Sequence, residues 1–339
     1  MNNDDAVLNV VLNVENLTVY YELEEETVKA VNNVNLKLSK GKTLGIVGET
    51  GAGKTTTALS LLRLIQMPPG VIKSGQITVC GNDILSLPLN KMEEIRGKDI
   101  AMIFQDPMTS LNPVFTVVDQ IAESLQTHEK LTKDSAYNKA LDMLEMVGIS
   151  RSRGWEYPHQ FSGGMKQRVG IAMALACNPK LLIADEPTSA LDVTIQAQVL
   201  DLMKELKGKY QMAMIMITHD LGIVAEICDE VAVMYAGSIV EQGTLDELFN
   251  HTLHPYTEGL FNSLPNINDR QSVLKPIPGL MPDPTNLPDH CAFAPRCSYV
   301  CDQCLQKRAE LISFGETHKT ACIAYEAADF HIRRGRKNG

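Results

Sequence analysis

The chain has 339 residues, a hydrophobic fraction of 44%, a charged fraction of 21% and a formal net charge of −10. This is the balance of an ordinary folded protein, and its acidity argues against broad nucleic-acid binding, which asks for a basic face. No apolar run approaches the roughly 18 residues of a membrane helix, and the polar, acidic start from Met1 to Asp5 lacks the basic and apolar regions of a secretory signal. A cytoplasmic protein is expected, with any membrane association supplied by a partner.

Leu12 to Tyr20 alternates and is rich in Val, as a strand is. The acidic run Glu22 to Glu26 reads as a hairpin turn, and Val28 to Leu38 resumes the strand pattern. Thr43 to Val47 reads as a buried strand and Thr56 to Ile65 as a helix. Between them lies Gly48-Glu49-Thr50-Gly51-Ala52-Gly53-Lys54-Thr55, which is G-x-x-x-x-G-K-T at a strand-to-helix turn. Glycines let the backbone approach phosphate closely, and the free N–H groups and dipole of the following helix favour an anion. Lys54 is placed to reach the terminal phosphates of a nucleotide and Thr55 to bind Mg²⁺, with Thr56 beginning the helix behind them.

Met67-Pro68-Pro69-Gly70 breaks the chain, and Ser74 to Cys80 and Ile100 to Gln105 read as short strands. From Val114 to Gly148 apolar residues such as Leu141, Leu144 and Val147 fall at helix spacing, and this insert ends near Tyr157-Pro158. Phe161-Ser162-Gly163-Gly164-Met165 then precedes a helical run from Val169 to Cys177. It is a second glycine-rich helix entrance suited to an anion. One nucleotide does not need two such sites from one chain, which points to two chains sharing each nucleotide.

Leu181 to Glu186 is an apolar strand that delivers two carboxylates at its carboxyl end. In a phosphate-loop protein this suggests Mg²⁺ binding by Asp185 and a general base in Glu186. The competing reading is a helix-capping cluster from Asp185 to Asp192. Met212 to Thr218 is a further buried strand that ends at His219. Such a His is ordinarily a loop residue, but in this company it is a catalytic candidate.

Together GETGAGKT, Gln105 after a strand, FSGGM, LLIADEP with TSALD, and His219 resemble the nucleotide-binding subunit of an ATP-binding-cassette transporter, over roughly Leu8 to Gly259. The resemblance implies a P-loop α/β core with an antiparallel β subdomain and a helical subdomain, here about 106–165. It implies that Tyr21, with Tyr20 as a rival, stacks on adenine, that Gln105 senses Mg²⁺ and the attacking water, and that His219 contacts the γ-phosphate. Ser162, Gly163 and Gly164 would clamp the γ-phosphate bound by the other subunit, and Ser189 to Asp192 would cross the dimer interface. FSGGM departs from the commoner LSGGQ. Phe161 keeps an apolar anchor, whereas Met165 loses a polar contact and is not carried over.

Gln105 to Pro113 (QDPMTSLNP), His254-Pro255-Tyr256-Thr257 and a cysteine-rich tail further resemble the ATPases of dipeptide and oligopeptide importers; nickel-importer ATPases share the first two features. This implies a peripheral subunit at the cytoplasmic face of the cell membrane. Its partners would be a second ATPase subunit (itself or a paralogue), two membrane permease subunits and, indirectly, an extracytoplasmic peptide-binding protein. A soluble cassette protein fits less well, because there is one P-loop and the helical insert is short. A redox protein leaves FSGGM and ADEPTSALD unexplained.

The division expected is residues 1–263 as the nucleotide-binding domain and 264–339 as a Pro-rich linker and cysteine-rich, metal-binding C-terminal domain. Of eight cysteines, Cys291, Cys297, Cys301, Cys304 and Cys322 lie in the tail, while Cys80, Cys177 and Cys228 read as buried filler. In a reducing compartment clustered cysteines point to metal rather than disulfides, and spacing alone leaves zinc and iron–sulfur open. The resemblance implies a 4Fe-4S cluster on Cys291, Cys297, Cys304 and Cys322, with Cys301 spare; His318 is the candidate ligand if the metal is zinc. The basic end, Arg333, Arg334, Arg336 and Lys337, reads as a solvated terminus.

Overall fold

In the computed structural model, residues 9–106, 110–189, 191–263, 276–326, 330 and 332 are described. Along the chain, β1 (Val10–Glu22) and β2 (Thr27–Ser39) form a hairpin, β3 (Thr43–Val47) runs into the glycine loop, and β4 (Gly70–Val79) and β5 (Asn82–Asp83) follow. Four of these pair in the order β2-β1-β4-β5 as an antiparallel sheet. The hairpin turns at the acidic run, where Leu23 N–H donates to the Glu26 carbonyl at 2.9 Å. Leu12, Val14, Leu17 and Val19 are buried on the inner side of β1.

The second sheet takes β3 together with β6 (Ile100–Ile103), β7 (Leu181–Asp185), β8 (Ala213–Ile217), β9 (Glu230–Tyr235), β10 (Ser238–Thr244), β11 (Ile312–Ser313) and β12 (Lys319–Thr320). Their order is β11-β12-β10-β9-β3-β8-β7-β6. The strands from β9 to β6 are parallel, whereas β10, β12 and β11 add on antiparallel. Every residue of β3, β7 and β8 is buried. That explains their unbroken apolar sequence: a parallel sheet covered on both faces has no wet side to alternate toward. The parallel direction also sets the carboxyl ends of β3, β8, β7 and β6 side by side, where ligands of open α/β sheets bind.

The insert is built from helices Val117–Glu129 and Lys133–Met146, which pack on each other and on Gly163–Leu175. Thr116 and Asp119 cap the first of these reciprocally, and Val117, Val118, Ile121 and Leu125 are buried in the core. Two helix starts differ from the sequence reading. The phosphate-loop helix is Lys54–Leu61, so Lys54 is its first residue. The helix at FSGGM begins at Gly163, because Ser162 caps it by accepting from Met165 N–H at 3.4 Å.

The segment from 276 onward packs on the main body. β12 pairs with β10, and Leu287 and Phe293 are buried in the main core. Its own apolar cluster is small: Ala294, Cys304 and Ile323. Residues 107–109, Ala190, 264–275 and the basic end from 333 lie outside the described residues. Among the described residues no helix is long and apolar enough to cross a membrane.

Candidate functional site

Four neighbouring strands deliver the expected site residues. β3 ends in the glycine loop, β8 in Thr218 and His219, β7 in Asp185 and Glu186, and β6 leads to Gln105. Two loop positions admit only glycine. Gly53 has a left-handed φ of 103°, and a Cβ there would lie 2.3 Å from the Ala30 carbonyl oxygen. A Cβ on Gly48 would lie 2.2 Å from the Met234 carbonyl oxygen.

Lys54 is buried, and its Nζ donates to the carbonyls of Gly48 at 2.8 Å and Glu49 at 3.0 Å. Burial lowers its pKa, while the negative charges of Glu186, Asp185 and Glu49 work in the opposite direction. Asp185 is 2% exposed, and its Oδ1 has no hydrogen-bond partner among the described residues. Burial raises its pKa; hydrogen bonding from the Thr55 side chain lowers it, Glu186 raises it and Lys54 lowers it. A buried carboxylate oxygen left unpaired beside a hydroxyl is costly unless a cation takes it up. The donor set of Thr55 and Asp185 therefore fits Mg²⁺.

Glu186 sits at φ 45°, a left-handed conformation that a non-glycine residue holds only under constraint from its surroundings. Its N–H is tied to the Ile217 carbonyl at 2.8 Å, which turns the side chain out of the sheet edge. There Oε2 accepts from Gln105 Nε2 at 2.9 Å, and Oε1 lies 3.0 Å from His219 Nδ1. The three candidates named as catalytic thus form one hydrogen-bonded row, Gln105–Glu186–His219, with Glu186 largely covered and His219 65% exposed.

Tyr21 reaches the phosphate-loop helix: its hydroxyl lies 3.4 Å from Thr56 Oγ1. Tyr20 is its neighbour on the same strand and so belongs to the other face. Ser162 and Gly163 are exposed, and a Cβ on Gly163 would meet nothing within 4 Å. Phe161 and Met165 pack against Arg153, whose guanidinium carbon lies 4.6 Å from the Phe161 ring centre and whose Nη1 is 3.2 Å from Met165 Sδ. Asp192 caps helix Val193–Tyr210 by accepting from Ile195 N–H at 3.0 Å. Ser189 Oγ donates to the Glu186 carbonyl at 3.2 Å.

The His254–Thr257 stretch serves the phosphate loop directly. Tyr256 is fully buried, and its Oη accepts the N–H of Glu49 at 3.0 Å. His254 Nδ1 accepts from Tyr256 N–H at 3.1 Å, and burial pushes the His254 pKa down to about 4, which keeps the ring an acceptor. Sequence reasoning singled out this stretch without seeing this role. It also missed Arg296, whose Nη1 lies 3.0 Å from Glu49 Oε2.

In the tail, Cys291, Cys297, Cys304 and Cys322 line one cavity together with His254, Tyr299 and Ile323, whereas Cys301 is not in its lining. Burial pushes all four thiols up, Cys297 to about 11 and Cys322 to about 12. Cys301 is exposed, with its Sγ 3.4 Å from that of Cys304. His318 does not join them. Its Nε2 lies 2.8 Å from Glu241 Oε1, and the buried Glu241 carboxylate also accepts the N–H groups of Leu253 and His254. The zinc-ligand reading of His318 is therefore corrected: a buried carboxylate holds the ring. Among the described residues no three His, Cys, Asp or Glu side chains form a group that could hold one metal ion.

Comparison with known proteins agrees with this geometry. The family described as "ABC transporter" matches residues 31–189, and "Oligopeptide/dipeptide transporter, C-terminal region" matches 240–304. The chain is 48% identical over 321 residues to the oligopeptide transport ATP-binding protein AppD of Bacillus subtilis, covering 94% of this chain and 98% of that one. It is 51% identical over 310 residues to OppD of the same organism, also an oligopeptide transport ATP-binding protein, covering 91% and 87%. Among solved structures, the dimeric post-hydrolysis ATP-binding cassette MJ0796, bound to ADP and Pi, superposes with a TM-score of 0.63 at 27% identity, covering 69% of this chain and 98% of that one.

Proposed function

The chain belongs to the ATP-binding subunits of ABC transporters of the oligopeptide/dipeptide type, and on that premise we propose that it is the ATP-hydrolysing motor of an importer of dipeptides or oligopeptides. The observation that carries the chemistry is the juxtaposition of Lys54, the Thr55–Asp185 donor pair and the Gln105–Glu186–His219 row at one edge of the sheet. Lys54 exchanges its loop carbonyls for the terminal phosphates. Thr55 and Asp185 would hold a magnesium ion, which would offset the charge of the phosphates. Glu186 takes the proton of the attacking water as general base. Gln105 and His219 hold its carboxylate toward the phosphate and pass to the water and the γ-phosphate as the site fills. Tyr21 stacks on the adenine; its contact with Thr56 supports it over Tyr20.

The signature residues act on nucleotide held by a second ATPase subunit, a copy or a paralogue. The exposed Ser162, the open space at Gly163 and the place of Gly163 and Gly164 in the first turn of their helix support this. In a mixed dimer with Lys54→Ala in one chain and Ser162→Arg in the other, one composite site is doubly damaged and the other intact. ATPase activity of about half the wild-type value is expected if the sites act independently, with little in either homodimer. Equal activity in all three arrangements would contradict the shared site.

Two permease subunits are the membrane partners. The groove between the main sheet and the helical insert supports this: it is lined by Leu64, Met102, Phe104 and Met173, with Leu64 and Phe104 exposed, and Phe104 is the residue before Gln105. A permease segment seated there would be moved by the same rearrangement that reports nucleotide state. The chain thus works at the cytoplasmic face of the membrane, fed indirectly by an extracytoplasmic peptide-binding protein. Purification of the tagged chain from its native membrane is expected to bring two polytopic proteins and an ATPase subunit with it. Recovery without any membrane protein would contradict the motor assignment.

The tail holds a 4Fe-4S cluster on Cys291, Cys297, Cys304 and Cys322. These four thiols around one cavity, with Cys301 outside it, support that ligand set. The cluster's role is structural, since tying four points of a loop-rich segment together supplies order that so small an apolar cluster does not.

A further inference from the structure

Arg296, the residue before Cys297, is unusually placed for a tail cation: its side chain is 6% exposed. Nη1 lies 3.0 Å from Glu49 Oε2 and 3.4 Å from Tyr235 Oη, and Nε donates to the Pro278 carbonyl at 2.9 Å. A buried guanidinium with these partners is held by design of the fold, because breaking one side of such a pair leaves an uncompensated charge. Glu49 is the second residue of the phosphate loop, and besides the Ala52 N–H that its carbonyl accepts at 3.1 Å it is held by three side chains. Its N–H goes to Tyr256 Oη, its carbonyl accepts from Lys54, and its carboxylate faces Arg296. When Lys54 turns to phosphate its grip is released, and the two contacts from outside the loop remain together with the Ala52 N–H. Arg296 also offsets a carboxylate that would otherwise stand unpaired beside an anion site.

We propose that Arg296 is a positioning residue for the phosphate loop, acting through Glu49, so that nucleotide affinity depends on the docking of the C-terminal cysteine segment. The contact is direct and lies beside the binding loop rather than at Glu186. Losing it therefore weakens ATP binding and leaves the chemical step alone. The proposal rests on the nucleotide-site reading.

Its test measures MgATP binding to the full-length chain, and KM and kcat in the assembled transporter. Arg296→Ala is expected to raise Kd and KM about 5–20-fold, the size of an ordinary coupling between two sites, with kcat within about twofold. Arg296→Lys is expected to recover much of the loss. In a Glu49→Gln background Arg296→Ala is expected to change KM little, because the charge it offsets is gone. Iron content is expected to stay at the wild-type level in every variant. An unchanged KM, an equal effect in both backgrounds, or loss of the tail's metal alongside the raised KM would overturn the proposal. If Arg296→Ala does not fold, the Lys variant and Glu49→Gln still read the contact: a KM at the wild-type value in both overturns it. A wild-type chain that fails to bind MgATP would instead bring down the nucleotide-site reading beneath it.

Discussion

Replacing Glu186 by Gln is expected to slow ATP hydrolysis by about 10²–10⁴-fold, the usual contribution of a positioned general base, while MgATP binding survives. The substitution keeps the size and the left-handed backbone position, where φ is 45°. It keeps hydrogen-bonding capacity toward Gln105 and His219, which lie at 2.9 and 3.0 Å in the wild type. What it removes is the ability to take a proton. Lys54, Thr55 and Asp185 are untouched, so nucleotide enters and stays, and the paired subunits are held closed around it. Lys54→Ala makes the useful contrast, because it removes the phosphate contact and is expected to weaken binding itself. Single-turnover hydrolysis and nucleotide retention distinguish the two. Near-normal turnover by Glu186→Gln in the assembled transporter would remove Glu186 from the role of base.

Replacing any one of Cys291, Cys297, Cys304 or Cys322 by Ser is expected to abolish iron binding, and replacing Cys301 is expected to leave it. The anaerobically purified chain is expected to be brown, absorbing near about 400 nm from thiolate-to-iron charge transfer. The loss should reach beyond the tail. Phe293, two residues after Cys291, packs against Tyr235 and Tyr256 with ring centres 5.3 and 5.4 Å away, and Tyr256 holds the loop N–H of Glu49. Loosening the cysteine segment is therefore expected to raise the KM for ATP as well as to expose the chain after Pro276 to protease. Iron analysis, absorbance and limited proteolysis check this. One zinc and no iron per chain would replace the cluster but keep the structural role; loss of iron with Cys301→Ser but not Cys304→Ser would mean a different fourth ligand.

The nucleotide half of the site was legible because its chemistry is local in sequence. Gly48 to Thr55, Ser162 to Gly164 and Asp185-Glu186 are each motifs of a few consecutive residues, at the junction of a strand or loop with the next element. The unbroken apolar strands Thr43–Val47, Leu181–Asp185 and Ala213–Ile217 were read at close to their observed bounds. What stayed hidden is long-range. Tyr256 meets Glu49 across 207 positions and Arg296 meets it across 247. No periodicity or spacing announces either contact. The strands that tie the tail to the main sheet, Ile312–Ser313 and Lys319–Thr320, are two residues each, too short to carry an alternation. His318 misled for a related reason: it lies four positions from Cys322 in sequence, yet its ring is taken by the buried Glu241, 77 positions away.

Reconstitution tests the central claim most directly. Transporter assembled from this chain, its partner ATPase and the permeases, in vesicles supplied with the peptide-binding protein, would be given a labelled oligopeptide with ATP on the side of the ATPase subunits. The account predicts that the peptide accumulates on that side only with hydrolysable ATP, that its presence raises the ATPase rate, and that Glu186→Gln stops both. ATP hydrolysis that runs at the same rate with and without peptide, and moves none of it, would contradict the assignment of this chain as the motor of a peptide importer.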